Sequence, residues 1–248
     1  MVLDLLLAPL ARELIYPRRG TRVPVDHAMH ELDVGEAVLR GWVVNPGRAR
    51  VLLYFGGNGE GLDPWRQVMA RQFPDHTTYL MAYRGYGASD GQPSQRDLSA
   101  DAVALVDHVT ERHNGARIDV IGRSLGSGVA VHVATQRTVE HLVLVTPFDS
   151  LAATASDLFP GLPVARLIED HWDSAAVAAH VRAPTLVVRA GRDAIVRPER
   201  TDVLIRALSG SAVVSFPDAD HNDVSDDLGY WTAIASFLGG TRSDDRRA

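Results

Sequence analysis

Short apolar runs rich in β-branched residues recur along the 248-residue chain, with stretches of helical periodicity between them. The runs predict strands at 37–44, 50–55, 77–82, 117–122, 141–146, 184–191 and 211–217. Several are solidly apolar and do not alternate, as strands covered on both faces should be. Helices are predicted at 63–71, 95–113, 124–136, 198–208 and 225–238. In the second of these, Leu98, Ala102, Leu105, Val106 and Val109 recur at the spacing of one helix face. Strands alternating with helices predict an α/β fold with a doubly wound, mostly parallel sheet. Right-handed crossovers then set the carboxyl ends of the strands along one edge, where ligands of such sheets bind.

One segment breaks the alternation. Residues 147–183 hold "PFDSLAATASDLFPGLPVARLIEDHW" and further helical sequence but no strand, which predicts a small helical cap inserted over that edge. The apolar residues Phe148, Leu151, Phe159 and Leu162 are its candidates for lining a site at that edge. The whole chain, 1–248, reads as one domain with a frayed polar tail at 239–248.

Composition narrows the chemistry. With 25 Lys+Arg against 31 Asp+Glu the net charge is −6, and the arginines are scattered, which argues against nucleic acid as a partner. The absence of cysteine excludes disulfides, thiolate metal sites and a cysteine nucleophile. No HExxH or comparable ligand spacing occurs, so neither a metal nor another cofactor is expected. The N-terminal "MVLDLLLAPLARELIYPRRG" lacks a basic leading region, carries Asp4 within its apolar stretch and has no small-x-small cleavage site. It is read as an amphipathic segment packed on the body. No run approaches the 18 apolar residues of a membrane span, and a cytoplasmic location is expected. Oligomeric state is left open.

The candidate chemistry falls just after strands. "DVIGRSLGSGVAV" at 119–131 places Gly122-Arg123-Ser124-Leu125-Gly126 between a strand and a helix rich in small residues. Gly-x-Ser-x-Gly in that context is a nucleophile turn, in which a serine is held out on a sharp corner. A serine hydroxyl needs a base, and His221 in "PDADHNDV" follows the last strand. His171 and His180, in or beside the cap, are weaker candidates, and the remaining histidines read as surface or packing residues. The base needs an acid to orient it, and Asp193 in "VVRAGRDAIVRPER" follows a buried strand, with Asp149 as runner-up. Asp220 and Asp223 read as loop residues. One oxyanion donor is expected from the Leu125 amide at a helix N-terminus, and the other from the loop Gly56-Gly57-Asn58-Gly59-Glu60-Gly61. That loop lacks the GxGxxG spacing and the lysine of a phosphate-binding loop.

In "LLYFGGNGEG", "YRGYGASDGQPS", "DVIGRSLGSGVA", "TPFDSL", "PTLVVRAGRDAIVRPE" and "DADHNDV", the chain resembles the α/β-hydrolases from about Val38 to Leu238. The resemblance is strongest to the depalmitoylase-like and serine-aminopeptidase-like branch. It implies Ser124 as nucleophile, Asp193 as acid, His221 as base, and the backbone N–H groups of Asn58 and Leu125 as oxyanion donors. Proteins of this kind carry His-Gly-Asn after the third strand, and Gly56 stands here in place of that histidine. The expected partner is a small-molecule acyl substrate, with small to medium carboxylic esters first. Thioesterase, amidase or peptidase and acyltransferase activities share the same chemistry, and a non-catalytic binding protein on the same fold is the rival from another class.

Overall fold

The computed structural model describes residues 15–239; the N-terminal segment up to residue 14 and the tail from 240 lie outside them. Eight strands form one sheet in the order β1-β2-β4-β3-β5-β6-β7-β8. They are β1 His30–Asp33, β2 Val38–Val44, β3 Arg50–Phe55, β4 His76–Met81, β5 Arg117–Arg123, β6 His141–Val145, β7 Thr185–Ala190 and β8 Ala212–Phe216. From β4 to β8 every neighbouring pair is parallel, whereas β1–β2 and β2–β4 are antiparallel. The predicted strands therefore all form, with ends shifted by a residue at most, and the mostly parallel α/β reading holds. β1 was not predicted: its four residues, HELD, carry one buried position and no apolar run.

The central strands are apolar because both of their faces are covered; β4 and β6 are buried along their entire length. The larger helices are α1 Trp65–Gln72, α2 Gln95–Arg112, α3 Leu125–Gln136, α7 Pro198–Ala207 and α8 Leu228–Gly239. Trp65 and Phe73, in and just after α1, meet Trp231 of α8 at ring separations of 6.1 Å. Helix α2 buries Leu98, Ala102, Leu105, Val106 and Val109, the stripe its periodicity announced. Its N-terminus is capped by the Ser94 hydroxyl, which accepts from the Asp97 amide at 3.1 Å.

Between β6 and β7 the chain forms three short helices, α4 Leu151–Leu158, α5 Val164–Leu167 and α6 Ser174–Val177, and a 3₁₀ turn at Ala178–His180. Ser150 and Asp173 cap α4 and α6 with their side-chain oxygens. This segment runs over the carboxyl ends of the strands. From β3 the chain moves to β4 on one side and then returns to β5 on the other. The crevice where ligands bind in such sheets thus opens between the loops that follow β3 and β5. Among the described residues no helix is long and apolar enough to cross a membrane.

Candidate active site

The turn after β5 has little room for side chains. A Cβ on Gly126 would fall on the carbonyl of Phe55, and one on Gly122 would fall on the Gly126 carbonyl and within 2.6 Å of the Ala130 Cβ. Strand, turn and helix α3 can therefore pack this closely only with glycine on either side of the serine. Between them Ser124 takes φ +50° and ψ −116°, a conformation that costs a non-glycine residue about 1–3 kcal/mol and recurs at functional sites. The strain aims its hydroxyl outward at the head of α3, whose first residue is Leu125.

Two further strand ends converge on that hydroxyl. His221, in the loop after β8, stands with Nε2 2.9 Å from Ser124 Oγ. Its Nδ1 lies 2.7 Å from Asp193 Oδ2, in the loop after β7. Asp193 is in turn fixed: its Oδ1 accepts from the Ile195 and Val196 amides at 2.9 and 2.7 Å. The carboxylate and the imidazole are both buried, at 4% exposure each, whereas Ser124 remains partly open. With Nδ1 donating to the carboxylate, Nε2 is left to face the hydroxyl.

The other acids are placed apart from this chain of bonds. Asp149, after β6, accepts from the Ser150 amide at 2.8 Å and pairs with Arg200 at 3.1 Å. Asp220 accepts from the His221 and Ala194 amides, which hold its carboxyl below the usual range, and Asp223 accepts from the Asp220 amide at 2.6 Å. Both shape the loop that carries His221. His171 and His180 bond to nearby carbonyls of their own segment.

The loop after β3 supplies the facing wall. Asn58, Ser124 and Leu125 border one cavity of about 140 Å³. Among the described residues neither the Asn58 nor the Leu125 amide meets an acceptor; the latter is the first amide of a helix, which has no intrahelical partner. The Asn58 side chain turns elsewhere, its Oδ1 accepting from Tyr86 Oη at 2.9 Å. Gly56 has its carbonyl held by Tyr83 Oη at 2.9 Å.

A residue that no motif announced organises this loop. The Glu60 carboxylate lies 3.1 Å from Tyr54 Oη and 2.8 Å from Arg123 Nη1, and also accepts from the Gly57 amide. Burial works against the Arg123 charge, but the adjacent Glu60 outweighs it and raises the guanidinium above its ordinary pKa. Tyr54, buried against the same carboxylate, is pushed well above the usual phenol range. No local motif marks Glu60, and its ion pair with Arg123 spans 63 residues.

Phe148, Leu151 and Phe159 line the cavity, as expected; Leu162 does not. It sits in the turn between α4 and α5, 61% exposed, beside Gly161 at φ +86°. That turn carries it away from the strand ends. The apolar wall is completed instead by Val164 and Ile168 of the cap, Ile195 and Val196 after β7, and Ile15. Among the described residues no group of three or more histidine, aspartate or glutamate side chains is arranged to hold a metal ion.

Known proteins share this arrangement of elements. Residues 50–166 match the profile of a family described as alpha/beta hydrolase fold. The uncharacterized protein Rv2307c of Mycobacterium tuberculosis is 41% identical over 147 residues, 58% of this chain and 52% of that protein. The chain thus spans about half the length of this relative. Protein bem46 of Schizosaccharomyces pombe is 31% identical over 207 residues, covering 78% of this chain and 69% of its own. Among solved structures, the Pyrococcus furiosus esterase Pf2001 superposes with a TM-score of 0.72 over 90% of this chain and 96% of that one, at 16% identity. The last is a likeness of fold alone. With the extent of bem46 that is matched, this chain belongs to the α/β hydrolase fold family.

Proposed function

We propose that the protein is a serine hydrolase acting on small to medium carboxylic esters, with Ser124, His221 and Asp193 as its triad. The observation that carries the reading is the unbroken line Ser124 Oγ–His221 Nε2–Nδ1–Asp193 Oδ2, with steps of 2.9 and 2.7 Å, beneath a strained serine. Ser124 Oγ attacks the ester carbonyl carbon while His221 Nε2 takes its proton. The carbonyl oxygen becomes an oxyanion and accepts from the Asn58 and Leu125 amides, with the N-terminus of α3 adding favourable field. Asp193 steadies the imidazolium. The tetrahedral species then expels the alkoxide, which takes the proton back from His221 and leaves as alcohol. Water repeats the sequence on the acyl-serine and releases the acid, restoring Ser124. The only co-reactant is water.

The cavity supports the substrate size. Its roughly 140 Å³ and apolar lining suit a short acyl chain, against the ~300 Å³ or more of sites for drug-sized ligands. A cytoplasmic site of action belongs to the same proposal.

Fluorophosphonate labelling is the direct test, because the probe phosphonylates only a serine that has both an activated hydroxyl and an oxyanion site. The expected result is stoichiometric modification of Ser124, abolished in Ser124→Ala and strongly slowed in His221→Ala. Turnover of p-nitrophenyl esters should peak at short or medium chains. No labelling of folded protein at pH 8 would return the chain to the non-catalytic, ligand-binding reading; a steep rise in kcat/KM out to palmitoyl esters would move it to long-chain thioesters or lipids.

A further inference from the structure

We propose that Glu60 is a positioning residue which, through Arg123, fastens the oxyanion loop to the nucleophile turn and to the loop carrying the base; the inference rests on the serine-hydrolase reading above. Glu60 touches none of the reacting atoms. Its carboxylate holds the Gly57 amide, one residue before the Asn58 amide that would receive the oxyanion. The same carboxylate binds Arg123, the residue immediately before Ser124. Arg123 reaches on with Nη2 to the carbonyl of His221 at 3.3 Å. One buried ion pair thus ties together three loops, from β3, β5 and β8, whose mutual spacing sets the distance between hydroxyl, base and oxyanion donor.

Three observations favour positioning over mere stabilisation. Both partners are nearly buried, with side-chain exposures of 11% for Arg123 and 8% for Glu60. Desolvation makes such a pair a poor source of stability compared with apolar residues of the same volume. The surroundings are also shaped to keep the carboxylate in place: Tyr54 Oη donates to it, and Gly56 leaves it room, since a Cβ there would come within 3.0 Å of Oε2. Finally, among the described residues Glu60 is the one side chain bonded to Gly57, while Tyr83 and Tyr86 hold the neighbouring Gly56 and Asn58. A loop pinned at three successive residues keeps the Asn58 amide fixed, and a misplacement of about 1 Å in such a group costs up to about 10²-fold in rate.

The test is Glu60→Gln in the full chain, which keeps the volume but lacks an acceptor for at least one of the three donors. Esterase kcat should fall about 10- to 100-fold with KM within about threefold, the signature of an interaction used in the transition state. Fluorophosphonate labelling should slow in parallel, and hydrogen exchange of the Gly57 amide should quicken at least tenfold. Arg123→Lys, which keeps the charge but loses the reach to His221, should show the same split in milder form and serves if Glu60→Gln does not fold. Unchanged kcat in folded Glu60→Gln, or a drop in melting temperature with full activity per folded molecule, would overturn the proposal. If the wild type itself resists labelling, the hydrolase reading fails separately; equal Gly57 exchange rates in wild type and variant would then overturn the Glu60 assignment, and faster exchange in the variant would uphold it.

Discussion

Asp119 and Asp193 each take a short hydrogen bond from a histidine Nδ1, at opposite ends of one sheet. Near the amino ends of the strands, Asp119 of β5 meets His141 Nδ1 at 2.8 Å, His76 Nε2 at 3.0 Å and Arg50 Nη2 at 2.7 Å. These partners open β6, β4 and β3, and His141 is the register neighbour of Asp119. At the carboxyl ends, Asp193 meets, among the described side chains, only His221 and satisfies its second oxygen with backbone amides. The difference lies in what stands beyond the imidazole. His221 turns its free nitrogen to a half-open serine. His141 packs its ring against Phe237 at 5.4 Å, and Asp119 is fully buried among three donors. An aspartate–histidine bond is therefore a common structural part. It becomes a candidate for chemistry only where a hydroxyl and free amides stand within reach.

Substitutions that leave shape intact should separate the two clusters. The largest expected effect is in Asp193→Asn, where kcat should drop by about 10⁴ because the imidazole is held in the wrong tautomer. Its melting temperature should move little. Asp119→Asn should do the reverse. Removing one partner of a buried charged cluster costs about 3–5 kcal/mol. At about 2–4 °C per kcal/mol for a domain of this size, the melting temperature should fall by roughly 6 °C or more. Ester turnover per folded molecule should stay near wild type. A large loss of kcat in folded Asp119→Asn would erase the distinction between the clusters.

A smaller effect is expected in Asp149→Asn. That carboxylate caps Ser150 and pairs with Arg200 but meets no histidine, so activity should stay within about tenfold, well short of losing an oriented base. Equal losses in Asp149→Asn and Asp193→Asn would reassign the acid.

The smallest effect sharpens the comparison with histidines that have no carboxylate. His30 and His132 are desolvated by burial, which lowers their pKa; for His30 the nearby His108 and Arg112 lower it further. In the window between the lowered native pKa and the unfolded value near 6.5, the unfolded chain binds more protons. Stability is thus fully present above about pH 6.5 and declines as pH falls below it. His132→Gln should flatten the fall in melting temperature between pH 7 and pH 5.5. An unchanged slope would show that this ring titrates alike in both states.

Most of the architecture was legible because it is written in local pattern. Strands β2 to β8 are short apolar runs, α2 has a regular stripe, and the cap declared itself by the absence of any strand between β6 and β7. β1 escaped because an edge strand with one buried residue needs no apolar pattern. The candidate triad was legible through order and position after strand ends. Leu162 was misplaced because which way a cap turn points is settled by the packing of α4 and α5, and their sequences show only that the residue is apolar. Glu60 was missed for a related reason, since a glutamate in a glycine-rich loop looks like any solvated residue until Arg123 and Tyr54 are seen around it.

By itself the sequence determined the elements, their alternation and the strained serine turn, since periodicity, glycine and chain order act over a few residues. Tertiary structure alone decided the distances: Ser124 meets His221 across 97 positions, and His221 meets Asp193 across 28. It also decided which of several similar aspartates and histidines face a hydroxyl and which are sealed below the sheet. Hydrogen bonds have a reach of about 3 Å, so they depend on how sheet twist and loop packing bring remote residues together, and no local pattern encodes that.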